Sequence, residues 1–233
     1  MLLLFCYPGS SPALDTLDDV LAVHASASKY CMEAVEKCIL TTLLSSPLME
    51  QEPLRIFAIA MANRWEEVAR AGERNTLTFP VYGRPRVEEL KFISALEYHQ
   101  LLDYHWKCGN AATELADLRG HNFRHGWITR KDFVWFGPHG KSTSECSAGA
   151  SVWWARTGYI ARQWWLDYMS EVADSLTLQP RGITVMEPAI VNKAVQRAIG
   201  CITCRQKVIP EMKEFVAMFA AEVERVISEV NCP

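Results

Sequence analysis

Cys201 and Cys204 form a C-x-x-C pair, the spacing at which two thiolates reach one tetrahedral metal ion. Two ligands leave such an ion half coordinated. The candidates to complete the set are Cys146, Cys108, His139 and the pair His121 and His125, whose four-residue separation puts both imidazoles on one face of a helix. The competing reading makes the cysteines small buried hydrophobes and places the histidines on a solvated loop. On that reading no cofactor is needed, and a zinc-stabilised regulatory domain built on Cys201 and Cys204 is the alternative. A thioredoxin-like redox role would need a strand-helix pattern around the pair, which the sequence lacks. The string His121-Asn-Phe-Arg-His125 has no glutamate between its histidines, so the base of an H-E-x-x-H metallohydrolase is missing.

Arg119, Arg124, Arg130 and Lys131 are interleaved with Phe123 and Trp127, a mixture of charge and stacking surface suited to single-stranded nucleic acid. The chain as a whole carries a net charge of −3, so a solvated connecting loop is the weightier reading and no nucleic-acid partner is expected. There is no glycine-rich phosphate loop, nucleophile elbow or informatively spaced pair of carboxylates. The expectation is a protein without catalysis. An enzyme whose site is assembled from scattered residues is a further alternative, to be tested by whether titratable groups converge in one pocket.

The elements that must position these residues read as helices. At 233 residues, 49% hydrophobic and 22% charged, the chain has ordinary globular composition and enough length for a large core. Its longest apolar run, Met1 to Tyr7, is seven residues, too short to span a bilayer. That run lacks a basic leader and a small-residue cleavage site, so a cytoplasmic or nuclear rather than secreted protein is expected, with reduced thiols. Thr16 precedes Leu17, Val20, Leu21 and His24 at helical spacing, with Asp19 placed to hold the first-turn amides. Met32, Val35, Ile39 and Leu43 predict a second helix ending near Pro47, and Pro53 opens a third that breaks near Asn63.

Leu90 to Leu118 holds apolar residues every three or four positions, with Gly109 as the expected weak point. Gly137 to Ser151, rich in small polar residues, is expected to be a mobile loop. Helical spacing resumes over Ala161 to Leu176 and again after Pro188. Pro210 is expected to open the last helix, whose stripe runs through Met212, Phe215, Phe219, Val223 and Ile227. Trp165 falls on an apolar face, while Trp164 points about 100° away, where it would anchor a partner. The predicted fold class is mainly α, a bundle-like array of helices with little or no sheet.

LLLFCYPG followed by TLDDVLAVHASASKYCMEAVEKCILTTLL, with Ala27, Lys29, Tyr30, Met32, Ala34 and Val35 at the helix junction, resembles the C-terminal half of a BTB/POZ domain. PLRIFAIAMANRWEEVARAGERNTL, EYHQLLDYHWKCGNAA and the Trp164 to Tyr168 run resemble the continuation found in a large group of fungal BTB-domain proteins. The superfamily's N-terminal strands and dimerisation helices have no counterpart before Met1, so the resemblance implies a truncated domain. It divides the chain into BTB-derived helices over residues 1–80 and a helical extension over 81–233. The first hairpin is then expected to show an apolar face, with Leu17, Leu21, Met32, Val35 and Ile39, together with Trp164, as partner-binding residues. What the resemblance implies is a protein-interaction module that binds other proteins, by self-association or on a cullin-type ubiquitin-ligase scaffold; the short apolar runs and net charge of −3 lead us to expect no membrane partner.

Overall fold

A computed structural model of the chain describes residues 14–80, 83, 86–118, 124–129, 132–137, 146–154 and 157–230, together with Leu2 and Phe5. The described residues are mainly α-helical, with one two-stranded antiparallel sheet. They form two compact units, Met1–Thr76 with Arg84–Leu101, and Leu77–Gly83 with Leu102–Pro233. The division anticipated at residue 80 thus falls inside a short segment of the second unit, after which residues 84–101 return to the first.

In the first unit α1 (Leu17–Lys29), α2 (Glu33–Leu44), α3 (Leu48–Gln51), α4 (Pro53–Asn63) and α5 (Glu66–Thr76) follow one another closely. The Thr16 hydroxyl caps α1 by accepting the Asp19 amide at 3.1 Å, a contact worth about 1 kcal/mol. Arg64, in the left-handed region at φ 60°, ends α4 near the break expected at Asn63. At Gly72 an added Cβ would lie 3.1 Å from the Phe57 amide nitrogen, so glycine is what lets α4 and α5 approach so closely. Arg55 binds Asp18 at 2.7 Å, Glu52 at 3.0 Å and Glu89 at 2.5 Å. One guanidinium on α4 thereby ties down α1 and the 3₁₀ turn at Glu88–Phe92.

Most of the apolar face of the first hairpin is covered among the described residues. Leu17, Val35 and Ile39 are buried, and Leu21 and Met32 pack against the same core. The covering that the resemblance assigned to preceding strands comes from Met49, Ile56, Ile59 and Val68 on the helices that follow and from Trp65 between α4 and α5. Leu17, Val35 and Ile39 are therefore core, while Leu21 and Met32 remain half-buried at its margin.

The second unit contains most of α6 (Ala95–Ala116), strands β1 (Ala148–Trp154) and β2 (Thr157–Arg162), then α7 (Gln163–Leu178), α8 (Gly182–Val185), α9 (Pro188–Ile199) and α10 (Val208–Glu229). β1 and β2 pair with Val152 opposite Tyr159 and Ala148 opposite Arg162, with an irregularity between Ala148 and Ser151. The expected loop over 137–151 therefore gives way at its C-terminal end to a strand, and residues 138–145 lie outside the described residues. Gly109 does not break α6. A Cβ there would stand 3.2 Å from the Thr177 carbonyl oxygen, so this glycine serves a close approach of α6 to α7. Helix α10 begins at Val208, two residues before Pro210, which lies in the first turn where its missing N–H costs nothing.

The core of this unit is aromatic. Phe133 and Trp135 stack at 4.5 Å, Trp164 and Trp165 pack on Trp135, and Phe215 of α10 meets Trp135, Trp165 and Tyr168 edge-on. The Tyr168 hydroxyl donates to the Val185 carbonyl at 2.8 Å, and the Val134 amide donates to the buried Glu211 carboxylate at 2.6 Å. Both groups are thus paired away from water. Trp127 stacks on Phe219 at 4.7 Å, so its ring packs against the aromatic core. Trp164, expected to anchor a partner, is 1% exposed. Trp164 packs on Trp135 and beside the Cys204 thiol while Trp165 meets Phe215 of α10, so both rings are hidden.

Candidate metal centre

Helix α9 ends at Ile199, and the chain turns sharply at Gly200. The Cys201 amide donates to Ala198 O, the Arg205 amide to Cys201 O and the Lys207 amide to Cys204 O, each at 3.0 Å. These bonds fold the C-x-x-C into a tight knuckle and lead directly into α10. Cys146 arrives from the other side, just before β1, where the Gln163 amide donates to Ser147 O at 3.2 Å. The start of α7 thus holds the Cys146 segment in place.

Cys146, Cys201 and Cys204 are all buried, and their sulfurs lie within 4.8 Å of one another. Cys146 Sγ and Cys204 Sγ are 3.6 Å apart. Bonds of about 2.3 Å to a tetrahedral zinc put two sulfurs about 3.8 Å apart, so the three thiols are arranged as one face of such a site. Among the described residues they form the one group of three or more histidine, cysteine or carboxylate ligands gathered this closely.

The electrostatics differ across the three. Burial opposes ionisation of Cys201, but the Cys204 and Thr203 amides together with the Cys146 and Cys204 thiols outweigh it and lower its pKa. Those two amides come from the knuckle itself, so the C-x-x-C turn makes a small nest for an anionic sulfur. Burial pushes the Cys204 thiol up, and the Cys146 thiol adds to that, while the Trp164 indole favours the thiolate. Burial also raises Cys146, with the Cys201 thiol acting in the same sense, and Arg162 pulls the other way. One sulfur is prepared for negative charge, and a cation is needed for the other two to lose their protons near neutrality.

Such a donor set is soft and shut off from water, suited to zinc or a similar thiophilic ion in a structural role. Of the sequence candidates, Cys201, Cys204 and Cys146 come together. Cys108 is buried on α6 outside the group. His121, His139 and the side chain of His125 lie outside the described residues. Sequence reasoning missed Arg162 and Trp164 as neighbours of the thiols. The signal for Arg162 was a single cation set between Ile160-Ala161 and Gln163-Trp164-Trp165, where a solvated face is hard to draw.

An open cavity of about 470 Å³ is lined by Glu114, Trp127, Glu222, Arg225 and Glu229, among others. Arg225 pairs with Glu222 at 2.7 Å and with Glu229 at 2.5 Å, so one cation stands among the three carboxylates of the lining. No described helix is long and apolar enough to cross a membrane. No family model, curated protein or solved structure matches the chain.

Proposed function

We propose that the chain is a non-catalytic protein-binding module whose C-terminal unit is fastened by one structural zinc ion on Cys146, Cys201 and Cys204. The observation that carries this reading is the meeting of three buried sulfurs within 4.8 Å, brought from two segments 58 residues apart at Cys146 and Cys204. A metal that binds only the folded arrangement adds its binding free energy to folding. Protein purified without chelator is expected to hold about one zinc per chain by elemental analysis. Adding a strong chelator is expected to lower its melting temperature. A metal-free preparation whose melting does not respond to zinc or chelator overturns the reading.

The binding surface of this module is apolar and adjoins the knuckle. Ile202 lies between the two cysteines at 70% exposure, and Ile199 and Ile209 stand exposed on either side of it in sequence. The BTB/POZ resemblance points in the same direction, toward self-association or a ubiquitin-ligase scaffold as partner. Replacing Ile202 with Asp is expected to leave zinc content and melting unchanged and to weaken self-association in sedimentation over a concentration series. A wild-type chain that stays monomeric throughout removes self-association from this proposal.

A further inference from the structure

Arg162 closes β2 opposite Ala148, two residues beyond Cys146, and is only 5% exposed. Its Nη2 donates to the Gly137 carbonyl at 2.6 Å, a neutral partner. Its Nε is buried and has no hydrogen-bond partner among the described residues, and none of the ion pairs among those residues includes it. A guanidinium does not shed its proton inside a protein. A buried fixed charge without an opposing charge is strongly disfavoured. The group whose charge Arg162 is placed to balance is the thiol cluster, since the strand register sets it opposite Ala148, two residues along the chain from Cys146.

We infer that Arg162 sets the net charge of the centre at −1, which selects a divalent thiophilic cation on the three thiolates with an uncharged fourth ligand. This rests on the zinc reading above and makes it more specific. Three thiolates and a divalent ion sum to −1, which Arg162 cancels. A monovalent ion such as Cu(I) on the same three sulfurs leaves −2, and a fourth thiolate on a divalent ion also leaves −2. Either surplus would be buried without a counter-charge. A trivalent ion leaves the guanidinium uncompensated. An imidazole nitrogen or a water in the fourth position fits the sum, and both are ordinary zinc ligands. The Trp164 indole N–H, buried without a nitrogen or oxygen acceptor and felt by Cys204, supports a thiolate without changing that sum. Outer groups of this kind tune a metal site without touching the ion.

The test is zinc-edge X-ray absorption on the full chain loaded with zinc alone, combined with zinc affinities of Arg162→Gln and Arg162→Lys by chelator competition. Three sulfurs and one nitrogen or oxygen are expected. The Gln variant is expected to bind zinc about 10–100-fold more weakly, the range for loss of an outer partner. The Lys variant, which keeps the charge, is expected to recover most of that loss. Four sulfurs around a firmly bound zinc overturn the charge assignment and leave the zinc reading intact. Absence of bound zinc overturns both. Wild-type affinity in a folded Gln variant overturns the role of Arg162. Should the Gln variant not fold, a tenfold or greater loss in a folded Lys variant does the same.

Discussion

A Cys204→Ser chain is expected to emerge from purification without zinc, with its C-terminal unit melting far below that of the wild type and no longer responding to chelator. Serine keeps the size of the side chain and removes the soft donor. Structural zinc contributes an apparent ~10–16 kcal/mol in small zinc-dependent peptides, whereas whole domains are stable by only ~5–15 kcal/mol. Even a third of the metal's contribution would therefore remove a large part of the unit's stability. Cys204 is the right position because its sulfur is buried and 3.6 Å from that of Cys146. The exposed Cys31 of the first unit provides the control, since Cys31→Ser should leave zinc content unaltered. A Cys204→Ser chain that retains one zinc and melts with the wild type would show that the ion, if present, is held elsewhere.

Truncating Phe215 to Ala is expected to destabilise the same unit by about 3–5 kcal/mol, the range for removing a large core aromatic. For a unit of this size that corresponds to a fall in Tm of roughly 6–20 °C. The ring of Phe215 lies between 5.5 and 6.2 Å from those of Trp127, Phe133, Trp135, Trp165, Tyr168 and Phe219. Six stiff rings held by one another cannot collapse into the space it leaves. Phe215→Leu, which refills most of the volume, is expected to cost well under half as much. Zinc content should survive both changes, separating loss of packing from loss of the metal. A loss below about 1 kcal/mol for the Ala variant would mean that α10 shifts to close the hole.

The helices were legible because their information is local. Thr16 ahead of an apolar period, Pro53 and Pro188 at first helical positions, and the stripe from Met212 to Ile227 each state a helix within a few turns of chain. The strands were not. Val152-Trp153-Trp154 and Tyr159-Ile160 have the β-branched and aromatic composition of strands, but Ala155-Arg156 between them is not a hairpin signal such as Asn-Gly. The small residues before Val152 resemble a loop as well. The role of Gly109 is hidden in the sequence for a related reason: it is fixed by the Thr177 carbonyl, far off along the chain.

The thiol site was half legible. The C-x-x-C spacing marks Cys201 and Cys204, and Cys146 was one of several candidates among which sequence has no means to choose. Which candidate arrives depends on β2 and α7 carrying residues 146 and 147 alongside the knuckle, a tertiary fact. Leu17, Val35 and Ile39 of the first hairpin lie in the core because burial is not a property of one helix pair. Leu17 and Ile39 belong to an amphipathic surface that α4 and α5 complete.

The 58 residues separating Cys146 from Cys204 have a bearing on how the chain matures at the ribosome. Helices α1 to α5 can settle as soon as they emerge, since their partners are neighbours in the order of translation. The later unit must hold Cys146 in an unfinished state until the whole of α9 and the C-x-x-C beyond it have been made. If the cluster holds the zinc proposed above, ion capture becomes one of the final acts of biogenesis, and a cell short of zinc would accumulate nascent products with a mature front and an unfastened back.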